Sequence, residues 1–167
     1  VALAGKRRPQ KALHGAVDQC IDRDGISHVA RPGRETGDFR REGIDGRALD
    51  PSGGFFHYFK DDGTVYDRRS RHLVSSTRFV FNHAMAYRRF GRPEDQAAAR
   101  HGLAFLHTAH AQPQGGYAWL IDWHDGRATV LDGTNHCYGL AFVLLAHAHA
   151  LMAGIDEARA GLEASFA

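Results

Sequence analysis

From residue 53 onward, the spacing of hydrophobic and polar residues is typical first of two strands and then of two helices. Residues 53–67 place two short aromatic runs around an Asp-Gly pair, which favours a β-hairpin. The run 73–87 carries one charge, Arg78, and is apolar around most of a helical circumference, which predicts a buried helix. An amphipathic helix follows over 93–111. Its predicted inward residues are Ala98, Leu103, Leu106 and Ala109, and its predicted outward residues are Glu94, Asp95, Arg100 and His101.

The same order of elements then returns. Residues 115–131 form a second predicted hairpin around Asp125-Gly126, and an uncharged helix follows over 135–153, ended by Gly154. Another amphipathic helix begins at residue 156. The pairs Gly53/Gly115, His72/His136 and His83/His147 are separated by 62, 64 and 64 residues. The chain therefore contains an internal repeat of a hairpin, a buried helix and an outer helix.

A buried helix paired with an amphipathic outer helix predicts a mainly all-α fold, namely part of an α/α toroid with short β-hairpins between the helix pairs. An open α-solenoid is the alternative. In a toroid the hairpins and loops gather at one end of the ring and can build a site there. About two repeat units fall within 49–167, which leaves an open apolar edge through which copies of the chain could associate.

Residues 1–48 differ from the rest in composition. They contain many Arg, Gly and Asp residues and few large apolar ones, and their apolar spacing fits neither a helix nor a strand. We therefore expect a poorly ordered or atypical leader over 1–48, followed by a toroid portion over 49–167.

The overall composition narrows the class of protein. A net charge of +2 does not favour nucleic acid as a partner, and no apolar run is long enough to span a membrane. Two cysteines, Cys20 and Cys137, cannot form a disulfide scaffold, and no secretory signal precedes the domain. These features favour a cytoplasmic protein.

Three segments carry a resemblance to a known family. They are GGFFHYFKDDG at 53–63, RHLVSSTRFVFNHA at 71–84 and NHCYGLAFVLLA at 135–146. Together they resemble the N-acylglucosamine 2-epimerase family, which includes mannose isomerases and cellobiose 2-epimerases, from about residue 49 to the C-terminus. The resemblance implies an (α/α)6 barrel, a small sugar substrate, and isomerisation or epimerisation by proton transfer at the carbon next to the carbonyl. It implies neither a metal nor a redox cofactor.

The sequence departs from the family pattern in two respects. The family's two catalytic histidines lie in later helices that these 167 residues do not reach, and residues 7–48 do not resemble the ordered aromatic helix that the family has there. We therefore expect the N-terminal portion of an isomerase, with an altered leader. A non-catalytic helical-repeat module that binds a protein partner is the alternative function.

Three residues are candidates for contact with the sugar. Arg78 is a charge in an otherwise uncharged helix, which is costly unless it is paired or lines a wet cavity, and by resemblance it matches an active-site arginine. The alternative is an ion pair with Asp67 or Asp132. Tyr138 matches a substrate-contacting tyrosine of the family, and a half-buried phenol bonded to a loop carbonyl is the alternative. Trp119 could wall a sugar site or could only pack the hairpin onto the helix ends.

The sequence contains 12 histidines but no established metal motif. His107 and His110 lie three residues apart on the outer helix, and His147 and His149 diverge, so we expect no metal site. His72 and His136 begin the two uncharged helices and suit hydrogen bonds to loops, whereas His83 and His147 suit the core or an interface. Cys137 is expected to be a small buried residue.

Overall fold

The structure, a computed structural model, describes residues 44–164. Five α-helices and five β-strands follow one another over this range. They are α1 (Ile44–Ala48), β1 (Tyr58–Phe59), β2 (Val65–Asp67), β3 (Ser70–His72), α2 (Leu73–Phe90), α3 (Pro93–Phe105), β4 (Leu120–His124), β5 (Arg127–Asp132), α4 (Cys137–Met152) and α5 (Ala158–Ala164). The predicted leader, 1–48, lies outside the described residues except for 44–48.

Helices α2 and α4 correspond to the predicted buried helices of the two repeats, and α3 and α5 correspond to the predicted outer ones; α2 extends past the predicted 73–87 to Phe90 and so also includes Arg88 and Arg89. Their shared core joins residues from all four helices and contains Leu73, Val80, Ala84, Leu103, Leu106, Val143, Ala146, Ala150, Ile155 and Ala158. All four inward residues predicted for the outer helix are buried. The mainly helical prediction is therefore confirmed over the described residues.

Asp95 corrects one prediction, because it is only 4% exposed rather than facing outward. Its Oδ2 accepts a hydrogen bond from Arg92 Nε at 2.6 Å, and its Oδ1 lies 3.2 Å from His83 Nδ1. The carboxylate can be buried because two polar partners satisfy it, and the helical pattern alone does not show that His83 on α2 faces it.

The second hairpin confirms its predicted turn. His124 and Arg127 pair across Asp125 and Gly126, whose φ angles are +50° and +71°. Two consecutive positive φ values define a type I′ turn, for which Asp-Gly is well suited. In the first hairpin, β1 and β2 pair antiparallel across a longer connection that contains Gly63.

A further strand, β3, was missed by the sequence pattern. It pairs antiparallel with β4, aligning Ser70 with Asp122 and His72 with Leu120, and so forms a three-stranded sheet in the order β3-β4-β5. The sheet joins the start of α2 to the second hairpin. Both repeats therefore meet at the amino-terminal ends of α2 and α4.

The outer helix ends differently from the prediction. Beyond Phe105 the chain continues as a π-helical turn, Leu106–His110, with Ala111 N donating to Leu106 O at 3.0 Å. Such turns often occur at functional sites. Within 44–164, none of the helices is both long and apolar enough to cross a lipid bilayer.

Candidate functional site

The candidate site lies where α2 and α4 begin. His72 is the N-cap of α2, with extended backbone, and its Nδ1 accepts a hydrogen bond from Val74 N at 3.3 Å. Leu73 N donates to Trp119 O at 2.9 Å, which fixes the loop before β4 against the start of the helix. His136 is the N-cap of α4, although its side chain makes no capping bond.

Trp119 lies between these two histidines. Its ring centroid is 4.3 Å from that of His72 and 4.5 Å from that of His136, with steep interplanar angles of 72° and 66°. His72 and His136 occupy equivalent positions of the repeat. The indole therefore bridges the two repeats through edge-to-face contacts, a favourable arrangement for aromatic rings.

Arg78 lies on α2 and is half-buried. Its guanidinium carbon is 5.2 Å from the centre of the Phe142 ring on α4, and its Nε is buried without a hydrogen-bond partner. Among residues 44–164 it forms no ion pair, so neither Asp67 nor Asp132 is its counter-ion. The charge is held by an aromatic face and leaves part of its hydrogen-bonding capacity unused.

Tyr138 is 57% exposed in the first turn of α4, more open than the half-buried alternative. Its ring centroid lies 5.0 Å from that of Phe142 and 6.5 Å from that of Trp119. Its hydroxyl makes no hydrogen bond to a residue that the structure describes. The phenol is consequently available to a ligand as both donor and acceptor.

Charge near the site comes from Arg78 and Asp132. Burial lowers the pKa of His72, and Arg78 lowers it further, while Asp132 opposes the shift. Hydrogen bonds from the hydroxyl and backbone of Thr134 lower the pKa of Asp132. Near neutral pH the site therefore combines a cation, a neutral imidazole and an ionised carboxylate with aromatic surface.

The structure thus brings the three predicted residues onto one surface, hereafter the Arg78 surface: Arg78, Trp119, Tyr138, Phe142, His72 and His136. Phe142 was missed by the sequence reasoning. Its position, 64 residues after Arg78, equals the repeat spacing, and this was the signal available. The expected hydrogen bonds to loops are not found for either histidine among the described residues: the His72 side chain caps its own helix at Val74 N, and the His136 ring contacts Trp119.

Other candidates have different surroundings from the Arg78 surface. His83 and His147 are buried, as expected, and His147 Nε2 lies 3.2 Å from His107 Nε2. Cys137 is exposed, so the prediction of a buried thiol was wrong, because the first turn of α4 projects beyond the core. Over residues 44–164, the structure places no three His, Cys, Asp or Glu side chains together in a way that could hold a metal ion.

The described residues thus form a helical-repeat fold of two helix pairs with interposed hairpins, and an aromatic and cationic candidate site lies where α2 and α4 begin. The profile of the N-acylglucosamine 2-epimerase (GlcNAc 2-epimerase) family matches residues 54–167. The chain belongs to that family.

Similar proteins fall into two named groups. A D-mannose isomerase of Marinomonas mediterranea is 52% identical over 118 residues, which are 71% of this chain and 29% of that protein. A cellobiose 2-epimerase of Eubacterium cellulosolvens is 28% identical over 98 residues, covering 58% of this chain and 24% of that protein. The chain therefore spans less than a third of the length of these curated relatives.

Solved structures give the same grouping. A crystal structure of D-mannose isomerase superimposes with a TM-score of 0.68 and 45% identity, covering 82% of this chain and 36% of that one. A cellobiose 2-epimerase from Spirochaeta thermophila gives a TM-score of 0.63 and 25% identity, covering 74% of this chain and 30% of that one. The arrangement of helices and hairpins is thus shared with about a third of each of these structures.

Proposed function

We propose that this chain is the N-terminal part of a sugar isomerase or 2-epimerase and that the Arg78 surface contacts the sugar. The observation that carries the proposal is the state of Arg78, whose guanidinium lies half-buried over Phe142 with an unpartnered Nε. Residues 44–164 supply it with no carboxylate. Because the Nε itself is buried, an external oxygen would bind the terminal nitrogens of the half-buried guanidinium. The similarity to D-mannose isomerase supports the substrate class.

The chemistry of such a reaction gives Arg78 a defined role. Removing a proton next to a carbonyl places negative charge on the sugar oxygens, and a preorganised guanidinium stabilises that charge more in the transition state than in the ground state. Tyr138 would orient hydroxyl groups, and Trp119 would pack against the C–H face of the sugar ring. By the resemblance, the proton-transferring histidines belong to later helices.

The fold proposed for the whole protein is an (α/α)6 barrel in which α2 and α4 are adjacent inner helices. Large apolar side chains on these two helices remain exposed, among them Met85, Phe90, Leu145 and Met152. Further helix pairs would continue the ring from the repeat already present. In the alternative function, the same exposed residues would bind a protein partner and Arg78 would have no kinetic role.

The test uses a hybrid enzyme in which residues 49–167 replace the matching segment of the Marinomonas mediterranea D-mannose isomerase. We expect Arg78→Ala to lower kcat/KM for mannose more than tenfold, because one preorganised donor is worth roughly 3–4 kcal/mol in comparable sites. Arg78→Lys should restore little, since an ammonium does not reproduce the planar fork.

Arg88→Ala is the matched control, since Arg88 is also on α2 but is exposed beside Met152 Sδ, at the far end of the helix. It should leave kcat/KM unchanged. Melting temperatures measured on the same samples separate the two roles of Arg78. If Arg78→Ala lowers the melting temperature and keeps normal kinetics, Arg78 is structural and the proposal fails.

A further inference from the structure

A chain of polar contacts crosses the start of α2 behind the Arg78 surface. His57 Nδ1 accepts a hydrogen bond from His72 N at 3.0 Å, and His57 Nε2 lies 3.5 Å from Ser76 Oγ. Ser76 Oγ is in turn 3.1 Å from His110 Nε2, and His110 Nδ1 lies 2.9 Å from Ala118 O. We call His57, Ser76 and His110 the polar relay.

Backbone groups at the two ends of the polar relay determine which atom donates and which accepts in each of its hydrogen bonds. His72 N–H can only donate, so His57 Nδ1 is unprotonated and its Nε2 carries the proton. Ala118 O can only accept, so His110 Nδ1 is protonated and its Nε2 accepts from the Ser76 hydroxyl. One neutral tautomer of each histidine satisfies all of these contacts.

The surroundings keep both rings neutral. Ser76 is 2% exposed and His110 is 0% exposed, and burial lowers the pKa of His110 to about 4. Burial also lowers the pKa of His57 well below its ordinary value. Arg71 and His72 both disfavour a positive charge on either ring, and His110 disfavours one on His57. The Tyr58 ring also lies beside His57, with ring centroids 6.1 Å apart.

The ends of the relay are direct neighbours of the Arg78 surface. His57 holds the backbone of His72, whose ring contacts Trp119. His110 holds Ala118 twice, since Ala118 N also donates to His110 O at 2.7 Å, and Ala118 immediately precedes Trp119. The π-helical turn is what carries His110 into this position.

We infer that His57, Ser76 and His110 are positioning residues that set the orientation of Trp119 and His72. This inference rests on the proposed function for its importance to the sugar, but its geometry can be tested without any sugar. In the proposed complex, a displaced Trp119 indole would no longer pack against the sugar ring that Arg78 and Tyr138 contact. Misplacement of about 1 Å can lower a reaction rate by up to 100-fold.

The test is ¹⁹F NMR of the full 167-residue chain labelled with 5-fluorotryptophan. The sequence contains two tryptophans, so the spectrum has two resonances, and Trp123→Phe assigns them. Ser76→Ala removes the centre of the relay. His110→Asn retains a donor for Ala118 O and removes the acceptor for Ser76. Thr77→Val is the control, because Thr77 is a buried neighbour whose hydroxyl donates to Val74 O outside the relay.

We expect Ser76→Ala and His110→Asn each to move the Trp119 resonance by several line widths. Ser76→Ala should also leave the Trp123 resonance in place, whereas in His110→Asn that resonance is no reference, because the Phe105 ring contacts both His110 and Trp123. The double variant should move it no further than either single change, because both break one relay. In the hybrid enzyme each single change should lower kcat/KM about tenfold.

A Trp119 resonance that stays fixed in both variants, or that Thr77→Val moves equally, overturns the inference. Additive shifts in the double variant overturn it as well. The two proposals fail in different experiments. Normal kinetics in the Arg78→Ala hybrid would contradict the proposed function, and the ¹⁹F spectra of the relay variants would still test the inference independently.

Discussion

The ion pair between Asp50 and Arg71 is the strongest candidate for a single contact that controls folding stability. Arg71 is 0% exposed on β3, and its Nη2 donates to Asp50 Oδ2 at 2.6 Å. Its guanidinium carbon lies 5.0 Å from the centre of the Phe56 ring, and Asp50 Oδ1 accepts from both the backbone N and the Oγ of Ser52. Asp50 is thus the counter-ion of a buried cation and the anchor of its loop.

Asp50→Asn keeps the size of the side chain and an acceptor oxygen but removes the negative charge. Breaking a buried ion pair by removing one partner costs about 3–5 kcal/mol, because the remaining charge is uncompensated. We expect a loss near the lower limit, about 3 kcal/mol, since the asparagine oxygen still accepts a hydrogen bond. Against a typical unfolding free energy of about 5–15 kcal/mol, this is a large fraction.

Urea denaturation of the 167-residue chain, followed by circular dichroism, measures the loss as a lower midpoint at constant slope. Asp122→Asn is the matched control, because Asp122 pairs with Arg69, whose side chain is 57% exposed. Solvent screens that pair, so its removal should change the midpoint little. Equal midpoint shifts in the two variants would refute the reasoning.

A double variant extends the test. Asp50→Leu with Arg71→Met replaces both charges by apolar groups, and such replacements are often neutral or stabilising. We therefore expect the double variant to be more stable than Asp50→Leu alone. A double variant less stable than Asp50→Leu would show that Arg71 contributes through its packing on Phe56 rather than through its charge.

Three further outcomes are expected. The 167-residue chain alone should show no measurable turnover of mannose, fructose, glucose or N-acetylmannosamine, because by resemblance the proton-transferring histidines lie in later helices; turnover that a histidine substitution within the chain abolishes would contradict this. Gly102→Ala should cost about 1–3 kcal/mol in a denaturant titration, because a Cβ there would lie 2.7 Å from Phe55 Cε2 and 2.8 Å from Val80 Cγ2, whereas Gly46→Ala, with open space, should be tolerated. His110, with a pKa of about 4, binds its proton less readily in the folded chain than when unfolded. The folded chain therefore loses about 3 kcal/mol of its unfolding free energy as pH falls from 6.5 toward 4, and the melting temperature of His110→Asn should depend less on pH over that window.

The pattern of residues within each element predicts most of the helices and turns of the fold. The runs 73–87 and 135–153 carry one charge between them, Arg78, which predicts the two central helices, and the Asp-Gly pair at 125–126 allows the positive φ angles of its turn. The repeat spacing then related the two halves. These features depend on residues close together in sequence, and the sequence shows them directly.

Long-range partners account for what the pattern missed. Strand β3 contains the buried Arg71, whose burial depends on Asp50, 21 residues earlier. Asp95 is buried because His83 on another helix faces it. In the candidate site, Arg78, Trp119 and Tyr138 could be selected from the sequence, but their arrangement around Phe142 and the two histidines required the packing of α4 on α2.

Helices α2 and α4 contact each other at two separate places, each time through two residues that lie 64 positions apart, which is one repeat. Arg78 lies over Phe142 near the start, and Arg88 reaches Met152 near the end. An inserted residue between Phe142 and Met152 would rotate the later part of α4 by about 100° and advance it by about 1.5 Å, so both contacts could not be kept. Changes of chain length between the repeats are therefore expected to accumulate in the hairpins and loops, while the spacing within these two helices stays constant.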